Sequence, residues 1–146
     1  MPDATMTNLA DNEIQQRLAD GGTGVLSVAK NNTPYSIPVS FGYDPGANRL
    51  FLQLGFTPES DKHQFITDGI DARLVLYENP ARTCRRIIAT GPLHEITPDS
   101  LDNRVARNIR QSPPPLYSIW DAPADSIEFR LFELQLSSLS GREASP

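Results

Sequence analysis

Three cations in the middle of this chain offer the chemistry most directly legible in it: Lys62 and the neighbours Arg85 and Arg86. A phosphate or similar oxyanion is held by a point charge or a guanidinium fork together with small polar donors. Ser40, Gly55 and Ser60 are the small residues available for the second part. Adjacent strand residues point to opposite faces, so at most one of Arg85 and Arg86 enters a shared pocket. Against this stands the plain role of most Lys and Arg, a solvated surface. His63 and His94 have no spacing to each other or to Cys84 that suggests a metal site, so none is expected. Cys84 sits beside two arginines, but no nucleophile motif surrounds it and it reads as an ordinary strand cysteine. Asp121 and Asp125 lie in a Pro/Ala stretch and read as a solvated loop. No G-x-S-x-G, P-loop or G-x-G-x-x-G occurs, and no residue is assigned a catalytic role.

The elements that must position these groups follow from periodicity and turn chemistry. Residues 11–19 place Ile14 and Leu18 four apart and end in Asp20-Gly21-Gly22, a short amphipathic helix with a glycine stop. Residues 24–30 form a largely buried strand, and Asn31 with Asn32 predicts a tight turn, since Asn tolerates positive φ. Residues 35–43 pair back; Pro38 inside them predicts an edge or a bulge, because proline cannot donate to the ladder. After a turn at Asp44-Pro45-Gly46 and Asn48, residues 49–54 alternate Leu50, Leu52 and Leu54 on one face. A short helix is expected over 60–68, strands over 72–78 and 84–90, the latter running on toward Ile96, and a helix from Thr97-Pro98-Asp99 with the stripe Leu101, Val105 and Ile109. Pro113, Pro114 and Pro115 form a stiff spacer, and 126–138 reads as one long final strand. The expected fold is mainly β with α (α+β): a six-stranded antiparallel split β-barrel with short helices, closed so that few edges are exposed.

Composition bounds the rest. At 146 residues the chain suits one domain spanning 1–146, with 1–6 and 143–146 as flexible ends. Eighteen acidic residues against thirteen basic give a net charge of −5, which argues against nonspecific nucleic-acid or anionic-membrane binding. One cysteine allows no intrachain disulfide, and no secretory pattern or bilayer-length apolar run is present, so a cytoplasmic protein is expected.

The succession of short helix, GVLSVAK, PYSIPVSF, FLQLG, Lys62, strand, CRRIIATG and a terminal strand ending in SGR, over residues 7–142, resembles the pyridoxamine 5′-phosphate oxidase-like split-barrel family. It is most similar to the small flavin-binding members found, among other places, in salt-loving archaea. The resemblance implies FMN in a groove between two subunits of a homodimer. Pro38, Val39, Ser40 and Phe41 would border the isoalloxazine through main-chain groups, Leu54 and Gly55 would pass the ribityl chain, and Ser60 and Lys62 would serve the phosphate. The family's phosphate-binding strand carries Arg followed by Ser or Gln; here Arg85 is followed by Arg86, and either could meet the phosphate. Trp120 would cover the flavin from the partner chain, or fill a core or interface. The chain ends Leu139-Ser140-Gly141-Arg142, without the Arg-x-His of true vitamin-B6 oxidases. The implied activity is therefore that of an FMN-dependent oxidoreductase of a small, unassigned substrate. Alternatives are a flavin carrier or sensor, a barrel binding deazaflavin, which would demand more basic residues than Lys62 and Arg86, or one binding haem with His63 or His94 as axial ligand. An empty structural barrel is the fourth.

Overall fold

Asn31 and Asn32 both take positive φ, 50° and 66°, the hairpin geometry whose twist matches that of the strands it joins. They fold β2 (Gly22–Lys30) onto β3 (Thr33–Asp44), in register from Lys30 opposite Thr33 to Gly22 opposite Phe41. A 3-10 turn at Pro45–Ala47 ends on Asn48, at φ 54°, and leads into β4 (Arg49–Phe56). The computed structural model describes residues 5–79, 81–97 and 127–145. Its remaining elements are β1 (Thr5–Asn8), α1 (Asp11–Ala19), α2 (Lys62–Phe65), β5 (Ile70–Glu78), β6 (Cys84–Glu95), β7 (Glu128–Gln135) and β8 (Ser138–Ser145).

The sheet closes through β6. Its first part, residues 84–90, pairs with β8, and its last part, residues 93–95, pairs with β7. Between them, a Cβ on Gly91 would overlap the carbonyl oxygen of Gln135, so only glycine lets β6 pass so close to the connection between β7 and β8. The ring β6-β5-β2-β3-β4-β7 is thereby a six-stranded antiparallel barrel, with β8 and β1 extending the sheet beyond it. Strand alternation turns Leu26, Val28, Phe41, Leu50, Leu52, Leu54, Leu74, Ala89, Leu93 and Leu134 into one buried core. Each large side chain so buried contributes about 1.5–3 kcal/mol. Ile14 and Leu18 of α1 join that core, Gly21 (φ 66°) stops the helix, and Leu9 and Ile14 lie against the backbone of Gly141. No described helix is long and apolar enough to cross a membrane.

Several expectations change. The long final strand breaks at Leu136 and Ser137, where Leu136 N–H donates to Asn48 O and Ser137 N–H to Thr90 O, and the chain turns back as β8. Apolar residues that continue through Leu134 and Leu136 hid this break, because both halves share a strand pattern. Residues 5, 6 and 143–145, expected to be tails, are strand residues paired as β1 and β8. The helix expected over 60–68 is the single turn α2. The helix after Thr97, the proline spacer, Trp120, Asp121 and Asp125 lie outside the described residues.

Candidate functional site

The ladder between β3 and β4 stops at Ser40 opposite Gln53. Beyond that rung the two strands part: residues 33–39 keep β2 on one side and have no strand pairing on the other among the described residues, while residues 54–56 of β4 stay with β7. Pro38 falls in this one-sided half of β3, where a missing ladder donor costs nothing. The result is a wedge with Pro38, Val39, Ser40 and Phe41 along one edge and Leu54 and Gly55 along the other. Val39, Phe41 and Leu54 turn their side chains into the core, so they offer the wedge main-chain groups only. Ser40 lies on the opposite face of β3 and is 3% exposed.

The loop after β4 returns to this wedge. Ser60 N–H donates to Thr57 O at 3.0 Å, and Lys62 N–H donates to Ser60 Oγ at 3.2 Å, which starts α2. Phe65 stacks on Tyr35 of β3 at 4.8 Å, and Lys30 Nζ donates to Gln64 O at 3.2 Å, so α2 is fastened to the ends of β2 and β3. Lys62 itself is only 8% exposed, and burial pushes its ammonium pKa down from the usual lysine value. A buried ammonium on a turn beside the open half of β3 is suited to a phosphate, whose charge favours the protonated amine. His63 shares Nε2 with Thr57 O at 2.9 Å and leans on Phe56 at 5.0 Å. Across Phe56 lies the Arg130 guanidinium, 4.5 Å from the ring and bidentate to Glu95 with both bonds 2.7 Å. That pair holds the carboxyl of Glu95 below its usual range and clamps β7 to β6. His94 faces Asp68 at 3.4 Å. Among the described residues no three His, Cys, Asp or Glu side chains stand together as a metal site requires.

The arginines stand apart from α2. Arg86 is opposite Tyr77, on the level of Thr23 and hence of Ser40, and α2 is fastened beside Lys30, seven residues further along β2. That is roughly 20 Å along the strands, and β6 is three strands round the barrel from β3. Arg85 and Arg86 do diverge as adjacent strand residues must. Arg85 is committed to Glu143, with Nε at 2.8 Å, and to Glu78 at 3.6 Å. Arg86 is exposed and makes no ion pair among the described residues. On that exposed face it meets Arg142, which sequence reasoning did not assign; only the register of β8 reveals the pairing.

Among curated proteins none matches the sequence. Solved structures share the fold. An FAD-binding protein of Mycobacterium smegmatis superposes with a TM-score of 0.67 at 11% identity, covering 95% of this chain and 98% of that one. An FAD-binding protein of Mesorhizobium loti gives 0.66 at 18% identity, covering 99% and 100%. An FAD and haem binding protein of Mycobacterium smegmatis gives 0.64 at 10%, covering 93% and 71%. At such identities the likeness is one of fold. The sequence model of pyridoxamine 5′-phosphate oxidase matches residues 10–143, from α1 through the split barrel into β8, and so the chain belongs to the pyridoxamine 5′-phosphate oxidase family.

Proposed function

We propose that the protein is an FMN-binding flavoprotein, an oxidoreductase of a small substrate, with its cofactor held between two copies of the chain. The observation that carries this reading is a buried lysine, with Ser60 before it, on a helical turn fastened beside the open half of β3. The donor set fits the cofactor. Lys62 and Ser60 hold the phosphate, the main chain at Pro38, Val39, Ser40 and Phe41 borders the ring system, and Leu54 and Gly55 line the ribityl chain. Bound flavin supplies hydride or single-electron transfer, and the protein supplies binding, orientation and electrostatics. The FAD-binding relatives support the flavin reading in its coarser form.

An apolar strip supports homodimerisation. Val25, Val75 and Ile88 lie opposite one another on the outer face of β2, β5 and β6, and Val25 is 44% exposed, an apolar strip suited to a second copy. Arg85 serves the fold, and Trp120 covers the flavin or fills the interface.

A flavin carrier is the second reading, favoured by the chemistry of the wedge. Apart from Lys62 its residues are apolar or hydroxylic, and the neighbouring His63 is engaged by Thr57 and Phe56. The two readings part under anaerobic NADH or NADPH. Bleaching of the flavin bands, with colour returning on addition of an electron acceptor, marks an oxidoreductase; flavin bands unchanged by either nucleotide mark a carrier.

A further inference from the structure

Cross-strand register gathers a second group of side chains on the outer face of β5, β6, β8 and β1. Tyr77 lies opposite Arg86, Arg86 opposite Arg142, and Arg142 opposite Asn8. Two residues along, Cys84 lies opposite Ala144 and Ala144 opposite Met6. The period of two puts all of them on one face. Directly opposed strand residues have Cα atoms about 5 Å apart, and like charges so placed repel. Among the described residues Arg17, Arg49, Arg85 and Arg130 each hold a carboxylate. Arg73, Arg82, Arg86 and Arg142 hold none among the described residues, and of these Arg86 and Arg142 stand directly opposite each other, although the chain carries a net charge of −5. An unrelieved pair of guanidinium groups in an acidic protein is an arrangement that an anion stabilises.

The surroundings say which anion. On one side the arginines border a cleft of about 200 Å³ lined by Met6, Tyr77 and Ala144. On the other they border a cleft of about 430 Å³ lined by Asn8, Asp11 and Ser140. Met6 and Tyr77 are 59% and 64% exposed, unusual for large apolar side chains. The Tyr77 ring is nonetheless held. Cys84 donates from Sγ to Asn79 Oδ1 at 3.7 Å, which leaves the Tyr77 hydroxyl to donate to Cys84 Sγ at 3.3 Å. Cys84 thus has a positioning part.

We propose that this face is a nucleotide site, in which Arg86 and Arg142 grip a phosphate or diphosphate and the flat aromatic group it carries lies against Tyr77 and Met6. Two forks side by side match the spread of oxygens on a phosphate ester, and an exposed ring accepts an aromatic base on its face. Contact of the base with Tyr77 and Met6 is one that a bare phosphate lacks, so a nucleotide binds better than inorganic phosphate. The nucleotide comes from one of two sources: the AMP half of FAD, or a free adenine nucleotide. In the first case the site rests on the flavin reading above; in the second it stands without it.

The test is titration of the purified protein with AMP, inorganic phosphate, FMN and FAD, repeated with Arg142→Ala, Arg86→Ala and Lys62→Ala. AMP should bind more tightly than phosphate and weaken about tenfold or more in each arginine variant, while Lys62→Ala leaves AMP binding unchanged and weakens FMN. FAD binding tighter than FMN, with the difference lost in Arg142→Ala, identifies the AMP half of FAD; equal FAD and FMN affinities with AMP binding intact identify a free nucleotide. AMP binding equal in wild type and both arginine variants overturns the proposal, as does absence of AMP binding together with equal affinities for FAD and FMN. Failure of FMN to bind, with AMP binding intact, overturns the flavin reading alone. Because Arg86 and Arg142 are exposed and repel each other, both variants should fold with an unchanged or higher Tm.

Discussion

Lys62 sits in a position that disfavours its own charge. Its ammonium pKa is lowered by burial, so the protonated amine costs the fold stability at neutral pH, and that cost is relieved as pH rises through the lowered value toward the usual 10.5. Lys62→Met should therefore raise the stability of the flavin-free protein at pH 7 and flatten the gain at alkaline pH, measured by urea melts at several pH values. The same variant should weaken FMN about tenfold to a hundredfold, because a charge-assisted contact is lost. A lysine placed for packing would give the opposite pair: a less stable protein with FMN affinity intact. Arg85 illustrates the structural kind of cation. With Glu143 at 2.8 Å it ties β6 to β8, and Arg85→Ala should cost about 1 kcal/mol of stability and leave FMN affinity unchanged. Sequence alone marked both residues as anion candidates. It separated Arg85 from Arg86 by strand parity, but could not say which face was outermost, because that depends on the register of β8 against β6.

Elements carry the closure of the barrel. Turns with local chemistry were legible: the Asn31 and Asn32 hairpin, the glycine stop of α1 and the turn into β4 all occur where the residues demand them. The one-sided half of β3 was legible too, since Pro38 excludes a full ladder. What stayed hidden was non-local. Nothing in the alternation of 126–138 marks Leu136 and Ser137 as a reversal, because the hydrogen bonds that fix it come from Asn48 and Thr90. Gly91 is the point where this closure is most sensitive. Gly91→Ala would press a methyl group on Gln135 O and should cost about 3 kcal/mol or more, read from chemical denaturation; a loss below 1 kcal/mol would contradict the close passage. The Glu95 and Arg130 pair clamps the same join. Because the folded pKa of Glu95 is lowered, its contribution is present above the usual 4.5 and is lost as pH falls through the lowered value. Glu95→Gln should remove that part of the acid sensitivity, visible as a shallower fall of Tm below pH 4.5.

At the scale of the whole molecule, the apolar strip of Val25, Val75 and Ile88 is the face proposed for a second copy. Val25→Glu should yield monomers by light scattering and weaken FMN with them; a variant that stays dimeric, or a monomer that binds FMN as well as the parent, would place the groove elsewhere. The family and the barrel were legible in the order of motifs, whereas the assembly was not, because an outward valine in a strand looks the same in sequence whether solvent or a partner covers it. The measurement that bears most directly on the central claim is an absorbance titration of flavin-free protein with FMN, run beside Lys62→Ala. The account predicts one FMN per chain at micromolar concentration and a loss of about tenfold or more in the variant. No binding by the parent, or equal binding by both, would contradict it.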